Sequence, residues 1–212
     1  MRKHATTLRK RITLVLVLAN MFVLTLYVSG WAFAPSRSHN QDDKKSVVRE
    51  LPSPNEPIEI GDIKLKSKVV KFDEKFDADD TWLRDITFKV KNKGKKTITY
   101  LRLDFTFPET SSSGPVMLHQ LYLGRRFDSP STNNREPLRL LPNQSSEFSL
   151  ESGFEDIKSL VESREPSIGK ISKIIVRLGE AMFDDDTLYS GGATFKRNPD
   201  PSSPRKWVVI RD

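Results

Sequence analysis

The sequence contains no cysteine. This absence excludes disulfides, thiolate metal sites, cysteine nucleophiles and lipid anchoring through a cysteine. A domain built this way depends on its hydrophobic core for stability. The 155 residues from 58 to 212 are enough to bury roughly two-thirds of the unfolded surface, so one stable domain is expected there.

Histidine is scarce, and the common catalytic motifs are missing. His4 and His39 lie far from the third histidine, His119, which we interpret as a structural residue of a strand. The chain has no Gly-x-Ser-x-Gly elbow, no phosphate-binding glycine loop and no His-x-x-x-His pair. The sequence therefore predicts no enzyme and no catalytic residues, although carboxylates that folding brings together stay open.

The positive charge is concentrated at the N-terminus. Five of the 35 Lys and Arg residues precede residue 12, which leaves 30 basic residues against 28 acidic ones in the rest of the chain. Such a balanced surface does not predict nucleic-acid binding. The basic excess indicates membrane topology instead, and its members are Arg2, Lys3, Arg9, Lys10 and Arg11.

Residues 12–34 are 23 consecutive uncharged residues. As a helix they would reach roughly 34 Å, enough for the ~30 Å hydrocarbon core of a bilayer. We expect residues 1–11 to be a cytoplasmic stub and residues 12–34 a single transmembrane anchor, with the rest of the chain extracytoplasmic. The cysteine-free export route favours a bacterial source.

A cleaved signal peptide is the alternative for this segment. A small-x-small pattern occurs at Ala32-Phe33-Ala34, and a weaker one at residues 28–30. Pro35 follows directly and constrains the chain that a peptidase must extend. Cleavage near residues 30–34 would make the protein secreted.

Residues 35–57 are expected to form a linker. This stretch contains Pro35, Pro52, Pro54 and Pro57 and is otherwise mostly polar. Proline-bearing polar segments act as extended spacers.

Residues 58–212 carry the periodicity of β-strands. Ile86, Phe88 and Val90 alternate with polar residues, a turn is expected at residues 92–95, and Leu101 and Leu103 begin the inward face of the next strand. We predict that these two strands pair as a hairpin. Because Ile98 has the opposite parity, a β-bulge is expected near residues 99–100.

The remaining pattern predicts one short helix at residues 155–163, a strand at residues 171–183 and a last strand at residues 206–210. The predicted fold class is mainly β: an antiparallel β-sandwich with one short helix.

Residues 86–107, ITFKVKNKGKKTITYLRLDFTF, resemble the central part of bacterial extracytoplasmic immunoglobulin-like domains. In those domains an N-x-G turn joins two strands that face each other across the core. The resemblance implies an immunoglobulin-like sandwich that binds, spaces or scaffolds.

Two acidic clusters are the candidate metal sites. One is Asp184, Asp185 and Asp186, and the other includes Asp77 and Asp79 together with Asp80. Exported domains can bind Ca²⁺ through loop carboxylates. Aspartate is also favoured in turns between strands, so we predict turns and keep calcium as the alternative, with no other cofactor.

The aromatic residues give three further expectations. Trp82 and Trp207 should fill the core or cover a sheet edge. Tyr189, beside Gly191 and Gly192, could form part of a sugar- or peptide-binding platform.

The sequence as a whole predicts an extracytoplasmic module that binds or scaffolds a protein of the cell envelope. Its partners would be the lipid bilayer, through residues 12–34, and an envelope protein. The alternative is a secreted or anchored glycan-binding module or hydrolase that uses the loop carboxylates.

Overall fold

The computed structural model describes residues 44–126, 128, 135–163 and 167–210. Within these residues the chain is mainly β, with twelve strands in two sheets and one short α-helix, Phe154–Glu162 (α1). This confirms that the chain is mainly β with one short helix. In chain order the strands are β1 (Lys45–Arg49), β2 (Ile58–Leu65), β3 (Lys68–Val70), β4 (Lys75–Phe76), β5 (Ile86–Asn92), β6 (Ile98–Phe107), β7 (Met117–Gly124), β8 (Ser145–Ser149), β9 (Lys173–Phe183), β10 (Leu188–Ser190), β11 (Ala193–Arg197) and β12 (Trp207–Val209).

The N-terminal predictions fall on residues that the structure does not describe. The cytoplasmic stub, the membrane anchor and residues 35–43 of the linker lie outside the described ranges. Among the described residues, no helix is both long and apolar enough to cross a membrane.

The smaller sheet, sheet B, has the antiparallel order β3-β2-β5-β8. The larger one, sheet A, is built around β9. On one side β9 pairs with β6, which in turn pairs with β7. On the other side β1 pairs with the beginning of β9, and β10 pairs with its end. Strands β4, β11 and β12 complete the sheet.

The two sheets share one hydrophobic core. Phe88 of sheet B and Phe105 of sheet A meet with ring centroids 5.3 Å apart. Helix α1 adds Ile157 and Val161, both fully buried. Trp82 lies in the same core as predicted, and its indole N–H donates to the carbonyl of Ile171 at 3.0 Å. Alternation along the strands accounts for these inward positions.

Strand β1 corrects two predictions. Residues 45–49 were assigned to the linker, but they form a strand whose Val47 is fully buried. The strand also pairs in parallel with β9, whereas only antiparallel pairing was expected. A five-residue strand with a single fully buried valine gives too weak an alternation to be found by periodicity.

The predicted β5–β6 hairpin is also wrong. Strand β5 belongs to sheet B and β6 to sheet A, so the connection at residues 93–97 crosses from one sheet to the other. The fully buried side chain of Asn92 holds this crossing, since its Nδ2 donates to the carbonyls of Lys96 (2.8 Å) and Leu140 (2.9 Å). The expected bulge is confirmed, because the register between β6 and β9 shifts between Ile98 and Tyr100.

Candidate binding surface on sheet A

The outer face of sheet A, which points away from the shared core, carries several buried side chains. On β6 the residues Leu101 and Leu103 enter the core, and the alternate residues Tyr100, Arg102 and Asp104 lie on the other face. Tyr100 is 2% exposed and Asp104 only 1% exposed. This face is therefore covered by its own side chains.

A second hydrophobic cluster covers one half of this face. Six strands of sheet A contribute one residue each, from β7 at one end of the row to β12 at the other. The cluster therefore runs as a continuous apolar stripe across neighbouring strands. Its members are Tyr100, Met182 and Leu188, all buried, and Tyr122, Phe195 and Trp207, which are partly buried.

A continuous ion-pair network crosses the same face. The carboxylate of Asp104 lies between Arg102 (Nε, 3.1 Å) and Arg177 (Nε, 3.3 Å). Arg177 also approaches Glu50 at 3.6 Å, and Arg102 reaches Glu180 at 3.3 Å. Each charge thus has an opposite charge beside it, which is how buried charges are tolerated.

The network continues toward β12. Arg126 contacts the second carboxylate oxygen of Glu180 and pairs with Asp128 at 2.6 Å. The indole of Trp207 hydrogen-bonds Asp128. Burial by itself would raise the pKa of Asp128, but the bonds from Arg126 and Trp207 bring it below its ordinary value. Asp128 is therefore ionised at neutral pH, and Arg126 and Trp207 already bind its carboxylate.

Two concavities open on this surface. The first, the β9 cleft, lies along β9 between Val176 and Glu180. Pairing with β1 ends at Val176, and pairing with β10 begins at Glu180. It is a cavity of about 200 Å³, and its lining includes Arg49, Glu56, Arg102, Asp104 and Arg177. The buried Nε of Arg102 has no hydrogen-bond partner among the described residues, because its contact with Asp104 is not aligned as a hydrogen bond.

The second concavity, the Trp207 groove, lies beyond the end of the β11–β12 hairpin. Its volume is about 430 Å³, and it is lined by Trp207, Asp128, Arg197, Lys206 and residues of the 198–203 loop. Arg197 and Trp207 are directly opposite each other in the β11–β12 pair. Their side chains therefore lie side by side on one face.

The 184–186 cluster forms the predicted turn between β9 and β10. Asp185 accepts hydrogen bonds from the hydroxyl (2.6 Å) and the backbone N–H (3.2 Å) of Thr187, and it pairs with Lys96 at 2.6 Å. Asp186 adopts a positive φ of 60°, which aspartate tolerates in turns. These contacts account for the cluster as a turn.

The 77–80 cluster lies in the segment between β4 and β5. Asp79 accepts two hydrogen bonds from Thr81, both of 2.9 Å, and pairs with the exposed Lys66 at 3.3 Å. Asp80 lies against Gly169. In the described part of the chain, no three His, Cys, Asp or Glu residues are grouped as a metal ion would need. The structure does not bring the two acidic clusters together.

The other candidate residues lie at separate places in the chain and do not form one site. His119 lies on β7 against Gly153 at the start of α1, and burial lowers its pKa, while Asp156 acts in the opposite direction. Tyr189 is the residue for which a part in a sugar- or peptide-binding platform stayed open. It is 3% exposed and donates its hydroxyl to the carbonyl of Pro54 at 3.1 Å, so its ring does not form such a surface. The topology residues Arg2, Lys3, Arg9, Lys10 and Arg11, together with His4 and His39, lie outside the described ranges.

No family model, no curated protein and no solved structure matches this chain. The surface is therefore judged on its own geometry. Sequence reasoning missed it because the charged residues of β6 and β9 alternate with apolar ones, which is the ordinary pattern of a strand with one solvated face. Only Tyr100 and Met182, apolar residues at outward positions, hinted that this face is covered.

Proposed function

We propose that this protein is a membrane-anchored extracytoplasmic module of the cell envelope that binds or scaffolds another molecule, with an immunoglobulin-like β-sandwich as its head. Residues 12–34 would be the anchor, and the outer face of sheet A would be the binding surface. The proposed immunoglobulin-like character is supported by the connection at residues 93–97, which joins two strands that face each other across the core.

The observation that carries the binding function is the composition of the outer face of sheet A. Trp, Tyr and Arg are the residues that contribute most to binding energy at interfaces. Here Trp207, Tyr122, Arg102, Arg126 and Arg177 lie on one face, and packing and ion pairs already hold them in place. Preordered side chains lose little entropy on binding.

The alternative, a glycan-binding module or hydrolase that uses loop carboxylates, gains no specific support at the predicted positions. Asp79 and Asp185 are engaged by neighbouring hydroxyl groups and lysines. Catalytic carboxylate pairs instead need one acid whose pKa is raised beside one that is ionised. Both aspartates have a lowered pKa, in each case through hydrogen bonds from a threonine and a lysine that outweigh the effect of burial.

The anchor is tested by fractionation of the full chain expressed in a bacterium. We expect an intact N-terminus in carbonate-washed membranes, with the head open to protease added from outside. A soluble product that begins near Phe33 or Pro35 would contradict the anchor and favour secretion.

The binding surface is tested by site-specific photo-crosslinking in the full chain. A photo-crosslinking residue in place of Arg197 lies on the proposed surface. One in place of Lys91 lies on β5 of sheet B and is the matched control. We expect adducts from position 197 and none of the same mass from position 91. Equal adducts from both positions, or none from either combined with measurable turnover by the protein, would overturn the proposal.

A further inference from the structure

An apolar row crosses four neighbouring strands on the outer face of sheet A. Val48 of β1 is paired with Ile175 of β9. Thr106 of β6 is paired with Ile175 on one side and with Leu118 of β7 on the other. Each of these four residues directly follows a residue of the shared core, so their side chains point outward. They form one continuous strip, which we call the apolar row.

The apolar row is partly open to solvent. Leu118 is 40% exposed, and the other three members are partly exposed. Val116 lies two residues before Leu118, just outside β7, and is 44% exposed, so it extends the strip. Among the described residues, neither hydrophobic cluster includes any of these side chains. Contiguous exposed apolar surface marks an interaction site, whereas single exposed residues do not.

Two polar rows flank the apolar row, and they differ in charge. The mixed row carries both signs and consists of Glu50, Arg177, Asp104 and Gln120. Its two outermost charges are half exposed, Arg177 at 46% and Glu50 at 48%. The row on the other side has lysines as its two charged members and consists of Lys75, Ser46 and Lys173.

A second copy of the same face complements these rows. Sheets pack face to face about 10 Å apart, with their strands nearly aligned. A two-fold axis parallel to the strands lays each row on the same row of the partner and reverses the order of the strands. Val48 then faces the partner's Leu118, and Ile175 faces the partner's Thr106. In the mixed row, Arg177 faces the partner's Asp104 and Glu50 faces the partner's Gln120. Like charges are therefore not directly opposed.

The other face-to-face arrangement, with the two-fold axis across the strands, is less favourable. It lays the mixed row on the partner's lysine row, so that Arg177 faces the partner's Lys173, and opposed like charges weaken an interface. It also turns the two β1 strands in opposite directions. Two copies held by residues 12–34 in one bilayer must enter their heads from the same side, which the axis parallel to the strands allows.

We infer that two copies of this chain associate through the outer face of sheet A, apolar row on apolar row, about a two-fold axis parallel to the strands. This inference rests on the proposed function in one respect, namely that residues 12–34 anchor both copies in one bilayer. It names a second copy of the chain as a partner of that face. The interface is isologous, so each contact occurs twice.

Disulfide trapping tests the arrangement, because the natural sequence contains no cysteine. Two full chains with different tags, one with Val48→Cys and one with Leu118→Cys, are expressed together in a bacterium, and the washed membranes are mildly oxidised. A disulfide needs the two Cα atoms within about 7 Å. We expect a linked species that contains one chain of each kind. If fractionation yields a soluble product instead, oxidation of that product tests the same pairing.

Each variant expressed alone is the control for geometry. In the inferred dimer, two copies of position 48 are offset by three strand spacings, roughly 14 Å, so Val48→Cys alone should stay unlinked, and so should Leu118→Cys alone. Efficient linking of Val48→Cys alone would indicate the axis across the strands and overturn the arrangement. Val69→Cys, at an exposed position of β3 in sheet B, is the control for random collision, and equal linking there would also overturn it.

The mass of the cysteine-free chain in detergent gives an independent measurement. We expect twice the 24.2 kDa of one chain. Leu118→Lys should weaken association at least about ten-fold, because it buries an ammonium group without a partner. Val69→Lys is the matched control and should leave the mass unchanged. Both positions are exposed, so neither substitution removes a core residue.

The outcomes separate this inference from the proposed function. A monomeric mass together with no mixed disulfide overturns the dimer. If that occurs while position 197 still gives its crosslinked adduct in the membrane fraction, the proposed function stands and only the second copy falls as a partner. A mixed disulfide in a soluble product would instead keep the dimer and remove the anchor.

Discussion

Gly179 lies directly against the carboxylate of Asp104: a Cβ at position 179 would stand 2.8 Å from both of its oxygens. The same Cβ would be 2.5 Å from Nε of Arg102. Both contacts are shorter than real Cβ atoms make, so with any other residue at position 179 the side chains of Asp104 and Arg102 would have to shift. The register between β6 and β9 shifts at this point, as strands do around an extra residue.

This relationship predicts the effect of Gly179→Ala. The methyl group must displace a buried ion pair, so we expect a loss of about 1–3 kcal/mol in the free energy of unfolding, the usual cost of overpacking. Denaturant unfolding of the full chain measures it. Gly61→Ala is the control, because a Cβ at 61 would have nothing within 4 Å. Equal effects of the two substitutions would contradict the packing argument.

The same network marks a limit of sequence reasoning. Period-2 alternation correctly placed Phe88, Leu101 and Leu103 in the core. It could not tell whether Arg102 and Asp104 face water or each other, because both arrangements give the same alternation. The second cluster depends on which strands lie side by side in sheet A, and the order of strands leaves no local signal in the sequence.

The β5–β6 connection shows a second limit. Turn residues between two alternating strands predict that the chain reverses, but they do not say whether the strands then pair or separate into two sheets. Here the strands separate, and the side chain of Asn92 braces the connection through bonds to three backbone groups: the carbonyls of Lys96 and Leu140 and the N–H of Gly94 (2.8 Å). An asparagine in a turn looks the same in sequence whether its side chain is exposed or fully buried.

Asn92 gives the second prediction. Replacing it by Leu keeps the size of the side chain but leaves these backbone groups without the amide, in a place where water cannot reach the side chain. We expect a loss of about 2–4 kcal/mol in the free energy of unfolding. Lys93→Ala, an exposed neighbour, should change it by less than about 0.5 kcal/mol. A near-neutral Asn92→Leu would mean that the crossing between the sheets does not need this side chain.

The acidic turns give a third prediction, about calcium. Ca²⁺ takes about six to eight oxygen ligands, whereas oxygens of Asp79 and Asp185 are already bound to threonines and lysines. We therefore expect the Tm of the full chain to be the same in calcium and in EDTA. A calcium-dependent rise in Tm that Asp79→Asn or Asp185→Asn removes would show that one of these clusters binds the ion.

Asp185 gives the last prediction, a dependence of stability on pH. Burial by itself would raise its pKa, but the bonds from Lys96 and Thr187 outweigh burial and lower the pKa below its ordinary value. A lowered folded-state pKa means that the ionised form is favoured by folding, so this contribution is fully present above the unfolded pKa and is lost as pH falls through the folded one. At neutral pH, Asp185→Asn should cost about 0.5–1 kcal/mol, because the Lys96 pair is half exposed.

Once the pH has fallen below the lowered pKa of Asp185, the wild type is itself protonated at this position, so the difference between wild type and Asp185→Asn should disappear. Asparagine can still accept a hydrogen bond from Thr187, which leaves the charge as the main change. Asp184→Asn provides the matched control in the same turn, since Asp184 forms no ion pair with any described residue, and it should have little effect at any pH. Unfolding curves of the three proteins across this pH range test the prediction. If Asp185→Asn still has a lower free energy of unfolding than wild type in acid, the loss comes from turn geometry and not from the ion pair with Lys96.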